Sequence, residues 1–158
     1  MRVGEWMRKN PIALSADATV GEAWRLMRRN RIRHLPVLDK GRLVGILTDR
    51  DLRMALPSPA SRLEPLERLE RWGDIRVWEV MSRVVLTARP ETGLDEAVDL
   101  LLRYRIGGLP VVRGAKLVGI ITKSDLLLAL AALLRPAGGA RARLARGGRR
   151  ARRPPRSS

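Results

Sequence analysis

The sequence predicts an α/β (α+β) fold: two β-α-β-β-α units packed through their sheets as one pseudo-two-fold module, followed by a disordered basic tail. Three observations predict it. A shift of 74 places lays residues 3–56 over 77–130 without a gap, and 21 of those 54 pairs are identical, which marks a duplicated unit. Apolar spacing inside each copy alternates between strand and helix periods in the same order. From Arg135 onward the chain carries nine arginines and no acid, leaving +7 of the +16 net charge for residues 1–134.

Each copy opens with a short extended piece, Pro11–Leu14 in the first and Val84–Thr87 in the second. An amphipathic helix follows. Val20, Ala23, Trp24 and Met27 fall at i, i+3, i+4 and i+7, mirrored by Leu94, Ala97, Val98 and Leu101, so one stripe faces a core. Thr19 and Glu22 have the spacing of a capping box at the first of these helices. Two apolar runs, His34–Leu38 and Leu43–Leu47, flank the turn-prone Asp39-Lys40-Gly41 and read as a hairpin. A last helix is expected from Thr48 to about Leu56, with its counterpart starting at Thr122. One copy alone is too small to bury both its sheet and its helices, so the two should pack together.

The expected organisation is repeat 1 over residues 1–58, a linker over 59–76, repeat 2 over 77–134 and a tail over 135–158. Pro57 opens the linker, and Leu63, Leu66 and Leu69 among charges suggest a short helix there. Beyond Pro136 the composition of Gly, Ala, Arg and Pro cannot bury enough surface to offset ordering entropy.

Composition narrows the chemistry. With no cysteine, a disulfide framework and thiolate metal sites are excluded. His34 is the single histidine, so neither a zinc site nor a triad built on several histidines is available, and an enzyme is not expected. No apolar run approaches the ~18 residues of a membrane span. The N-terminus lacks a signal-peptide pattern, so a cytoplasmic protein with no membrane partner is expected. Trp6, Trp24, Trp72 and Trp78 read as core or interface residues rather than base-stacking platforms.

The strongest repeated motifs are a leading Val-x-Glu-x-Met (Val3, Glu5, Met7; Val77, Glu79, Met81), then Leu35-Pro36-Val37 with Leu109-Pro110-Val111. Gly45-Ile46-x-Thr48-x-x-Asp51 with Gly119-Ile120-x-Thr122-x-x-Asp125 completes the set. Together they resemble the cystathionine-β-synthase-type (CBS) domain family, and two copies in register resemble the tandem pair called a Bateman module. The resemblance covers residues 3–56 and 77–130.

It implies two clefts that hold AMP, ADP, ATP or S-adenosylmethionine as a regulatory ligand, with no catalytic cofactor. In that pattern Asp51 and Asp125 take ribose hydroxyls while Thr48 and Thr122 sit near phosphate. The chemistry suits the spacing, because i and i+3 at a helix start share a face where free N–H groups favour an anion. Thr-x-x-Asp is equally a helix cap, and a cap leaves lone pairs over for a ligand.

For adenine the resemblance points to Ile12 and Ala13, to Leu86 and Thr87, and to Ile32 and Ile106; core packing is the alternative role for these. At the phosphate end the copies differ, Arg33-His34 against Gly107-Gly108. The expectation is that Arg33 and His34 reach the cleft of Thr122 and Asp125, leaving Thr48 and Asp51 facing glycine and binding weakly. The resemblance further implies a homodimer and an output through an effector protein. The alternative reading is a nucleic-acid or polyanion binder acting through the arginine tail, with the paired repeats as a dimerisation scaffold.

Overall fold

The structure, a computed structural model, describes residues 1–55 and 73–135. The linker helix expected near Leu63, Leu66 and Leu69, the environment of Trp72 and the disorder expected beyond Pro136 fall outside these residues. Repeat 1 comprises α1 (Val3–Trp6), β1 (Arg8–Lys9), β2 (Leu14–Ser15), α2 (Val20–Asn30), β3 (His34–Asp39), β4 (Arg42–Thr48) and α3 (Asp49–Ala55). Repeat 2 comprises α4 (Val77–Val80), α5 (Leu94–Arg103), β5 (Gly108–Arg113), β6 (Lys116–Thr122) and α6 (Lys123–Leu133).

The amphipathic stripes face inward as the spacing predicts: Val20, Ala23 and Met27 are buried in α2, Ala97 and Leu101 in α5. Thr19 Oγ1 accepts from the Glu22 N–H at 3.2 Å and Glu22 Oε2 accepts from the Thr19 N–H at 2.7 Å, completing the capping box. Both helices stop alike. Arg31 and Arg105 turn left-handed (φ 54° and 53°), and the Ile32 and Ile106 N–H groups reach back to the Met27 and Leu101 carbonyls at 3.0 and 3.2 Å. Such a terminus satisfies otherwise orphaned carbonyls.

One sheet runs β2-β3-β4, with β2 parallel and β4 antiparallel to β3. The other runs β1-β6-β5. The extended pieces are shorter than expected: β2 is Leu14–Ser15, and its counterpart is the single parallel bridge Ala88–Val111.

The leading segments are exchanged, which periodicity alone did not reveal. β1 of repeat 1 pairs with β6 of repeat 2, Arg8 opposite Ile120. The Val3 and Gly4 N–H groups donate to the Thr92 and Pro90 carbonyls at 2.9 and 2.8 Å. Repeat 2 reciprocates: the Val77 N–H donates to the Ala18 carbonyl at 2.8 Å, and Ser82 and Ile46 exchange both backbone hydrogen bonds at 3.0 Å. Val77 therefore completes the core of Val20, Ala23, Met27, Leu35, Val37, Leu47 and Leu52. Val3 completes that of Ala88, Ala97, Leu101, Leu109, Val111 and Ile121. A Cβ on Gly45 would strike the Met81 sulfur, and one on Gly119 the Met7 sulfur, so these two positions need glycine for close approach rather than for backbone freedom.

Each exchanged valine is fully buried in the other repeat's core. Val3→Ala and Val77→Ala should each cost about 2 kcal/mol through lost transfer free energy and a residual cavity. Urea unfolding checks this; an unmoved midpoint in either variant would show that its valine is not a core member.

Candidate functional site

Each last strand runs into its last helix at the Thr-x-x-Asp step, so both aspartates sit in a helix's first turn. At α3, Asp51 Oδ2 accepts from the Thr48 N–H and hydroxyl, both at 2.7 Å. Thr48 Oγ1 accepts in turn from the Asp51 N–H at 3.2 Å. The cap is thus real, yet it occupies a single carboxylate oxygen. Asp51 Oδ1 has no partner among the described residues and Asp51 remains partly exposed.

Asp51 lines a cavity of about 530 Å³ between the repeats. Repeat 1 contributes Arg33, His34, Ile46, Thr48, Asp49, Arg50, Asp51 and Arg53. The segment after α4 contributes Ser82, Val84, Val85 and Leu86, and the passage from α5 into β5 contributes Tyr104, Arg105, Ile106, Gly107 and Gly108. Four arginines thus face two aspartates, and the potential inside favours an anion. The Arg53–Asp49 pair at 2.8 Å is largely exposed and adds little stability.

His34 lies against the second repeat, where a Cβ on Gly107 would strike its imidazole. Burial of the ring pushes its pKa below the ordinary imidazole value; Arg33, and more weakly Lys123, push the same way, against Asp49 and Asp51. His34 is therefore neutral at physiological pH.

The expected placement of Arg33 and His34 is corrected here. They line the cavity of Thr48 and Asp51, the one assigned to weak binding. The reason is local: His34 pairs with Thr48 in the β3–β4 register, and the Arg33 carbonyl accepts from the Asp49 N–H at 3.0 Å. Gly107 and Gly108 line the same cavity from the other side. Leu86 and Ile106 join it while also packing on the second core.

Thr122 and Asp125 lie apart from that cavity. Asp125 Oδ2 accepts from the Thr122 N–H at 2.8 Å and hydroxyl at 2.6 Å, as at Asp51. Its Oδ1, however, accepts from Arg8 Nε at 3.2 Å, and the residue is only 4% exposed. Ile32 packs on the first core. Ile12 is exposed rather than packed, and neither isoleucine lines the cavity. Trp78 is likewise 44% exposed, not a core residue.

Arg50, Arg53, Tyr104, Arg105 and Ser82 were not singled out from sequence. A signal existed for the first two, which flank Asp51 in the helix's first turns, whereas Ser82 reaches the site only through the exchange of leading segments. Among the described residues no group of three or more His, Cys, Asp or Glu could hold a metal ion, and no helix is long and apolar enough to cross a membrane.

The CBS domain family matches this chain twice, over residues 3–58 and 77–132. A CBS domain-containing protein of Dictyostelium discoideum is 36% identical over 136 residues, covering 85% of this chain and 94% of its own. A CBS domain pair solved with 5′-methylthioadenosine and S-adenosyl-L-methionine superposes with TM-score 0.70 at 27% identity, covering 84% of this chain and 98% of its own. CBSX2, solved in complex with AMP, superposes with TM-score 0.70 at 29% identity, covering 85% and 98%.

Because the folded pKa of His34 lies below the ordinary 6.5, the unfolded chain binds the extra proton first as pH falls. Stability is complete above 6.5 and declines as pH drops from there toward the folded value. Urea unfolding between about pH 7.5 and 5.5 should show this slope, and His34→Gln should flatten it; equal slopes in the two proteins would contradict the burial of a neutral imidazole.

Proposed function

The chain belongs to the CBS domain family, and we propose that it is a regulatory module, not an enzyme, that binds an adenine nucleotide in the cavity of Thr48 and Asp51. The observation that carries this reading is the unpartnered Asp51 Oδ1, aligned by its cap and set among four arginines. A ribose diol supplies two O–H donors, and a carboxylate oxygen with two open lone pairs accepts them. Arg33, Arg50, Arg53 and Arg105 are then positioned for phosphate. Val84, Leu86, Tyr104 and Ile106 offer the base an apolar slot.

The relatives solved with AMP and with S-adenosyl-L-methionine support the ligand class. The surplus of arginine favours a phosphorylated ligand over S-adenosylmethionine, whose sulfonium is cationic. Such a ligand touches Asp51 from one repeat and Ile106 from the other, so it favours one arrangement of the pair.

The output is read by a partner protein or through a homodimer. Self-association is supported by an apolar groove of about 450 Å³ between α5 and α6, lined by Val98, Leu102, Leu126, Leu127, Leu130 and Leu133. Leu102, Leu127 and Leu133 are 66%, 65% and 63% exposed, a patch larger than an isolated surface leucine requires. The arginines beyond Arg135 offer polyanions a separate, salt-dependent contact.

Calorimetric titration of the full chain with AMP, ADP, ATP and S-adenosylmethionine tests the ligand. A phosphorylated adenine ligand should bind, and Asp51→Ala should weaken it at least about tenfold; absence of heat with all four would leave both Thr-x-x-Asp steps as caps. For assembly, light scattering should give a dimer mass that falls to the monomer in Leu102→Glu/Leu127→Glu, and an unchanged mass would move the interface elsewhere.

A further inference from the structure

The two Thr-x-x-Asp turns are built on the same backbone, and one side chain separates them. Position 8 of the first repeat corresponds to position 82 of the second under the shift of 74. Arg8 lies opposite Ile120 and Ser82 opposite Ile46, which are themselves equivalent. Both segments approach equally closely: a Cβ on Gly119 would lie 3.1 Å from the Arg8 carbonyl oxygen, and one on Gly45 3.1 Å from that of Ser82. Both aspartates spend Oδ2 on the cap.

The difference falls on Oδ1. Ser82 makes no hydrogen bond to Asp51, whose Oδ1 has no partner among the described residues, and both residues line the cavity. Arg8 donates Nε–H to Asp125 Oδ1 at 3.2 Å, and the carboxylate is 5% exposed. A ribose diol arriving at Asp125 would have to displace a guanidinium from a buried carboxylate, exchanging a charge-assisted bond for two neutral donors. Leaving that charge buried without its partner is costly.

We infer that Arg8 closes the second Thr-x-x-Asp turn to ribose and so makes the chain a one-site binder; it acts as a positioning residue on Asp125. This rests on the proposed role of Asp51 as the ribose acceptor in the first cavity. The device is local to one side chain, so its removal should open a second site without altering the first. Arg8 is 56% exposed along its side chain and holds β1 to β6 through its backbone, so Arg8→Ser leaves the strand pairing in place.

The test is the stoichiometry of AMP, ADP and ATP binding to the full chain by calorimetry. Wild type should bind one ligand per chain, and Arg8→Ser two. Asp51→Ala should bind none with measurable affinity, and Arg8→Ser/Asp51→Ala should regain one. Arg8→Lys, which keeps a cation beside Asp125, should stay at one. Two ligands on wild type, or one on Arg8→Ser, would overturn the inference. The readings fail separately: a wild type without heat sinks the first cavity, while the double variant still reports on Arg8, its failure to bind counting against the closure.

Discussion

Everything in this molecule depends on the reciprocal exchange of leading segments. Val3 and Val77 are each fully buried, each in the core of the repeat to which its own β-α-β-β-α unit does not belong. A repeat of this size has too little apolar surface to stand alone, and the exchange supplies the missing piece in both directions. It also explains Gly45 and Gly119, whose missing side chains leave room for the methionines that follow each exchanged helix. The cavity is a product of the same constraint, since Ser82 and Leu86 line it with Asp51 only because their segment crosses over.

A duplicated backbone does not give duplicated chemistry. The Arg33 and Gly107 carbonyls cap equivalent N–H groups, of Asp49 and Lys123, at the same 3.0 Å. Yet the side chains at these positions set opposite environments. Around Asp51 the arginines stand in a cavity with an open carboxylate oxygen; around Asp125 a single arginine consumes that oxygen. The pseudo-two-fold axis therefore relates scaffolds, not sites. His34 sits at the seam, close against Gly107 and kept neutral because its burial outweighs the nearby carboxylates.

Much of the fold was legible in the residues. The stripes of α2 and α5, the hairpin at Lys40-Gly41 and the box at Thr19 and Glu22 follow from local rules that tertiary context leaves alone. Lys40 and Gly41 do adopt the left-handed conformations of a tight hairpin turn (φ 47° and 77°). Partner choice was not legible: Val3 and Val77 read as members of their own copies because periodicity reports burial, not which core does the burying. The site was half legible for the same reason. Thr48 and Asp51 announce themselves by spacing, and Leu86 and Ile106 by resemblance. Arg33 and His34 lie in the other cavity from the expected one, since hairpin register ties them to the nearer aspartate. Arg8 carried no signal until β1 was seen to lie beside β6.

The exchange also dictates when this chain can fold as it is made. The first repeat cannot close its core until Val77 has emerged from the ribosome, well after its own last helix. The N-terminal segment must wait longer still, because its docking partners at Pro90, Thr92 and Ile120 all follow Val77 in the chain. Contacts so distant in sequence slow folding, and Val3, Trp6 and Met7 stay unburied throughout that interval. A nascent chain of this kind is exposed to mispairing with a neighbour's repeat, so one leading segment inserted into another copy's core is the error its synthesis must avoid.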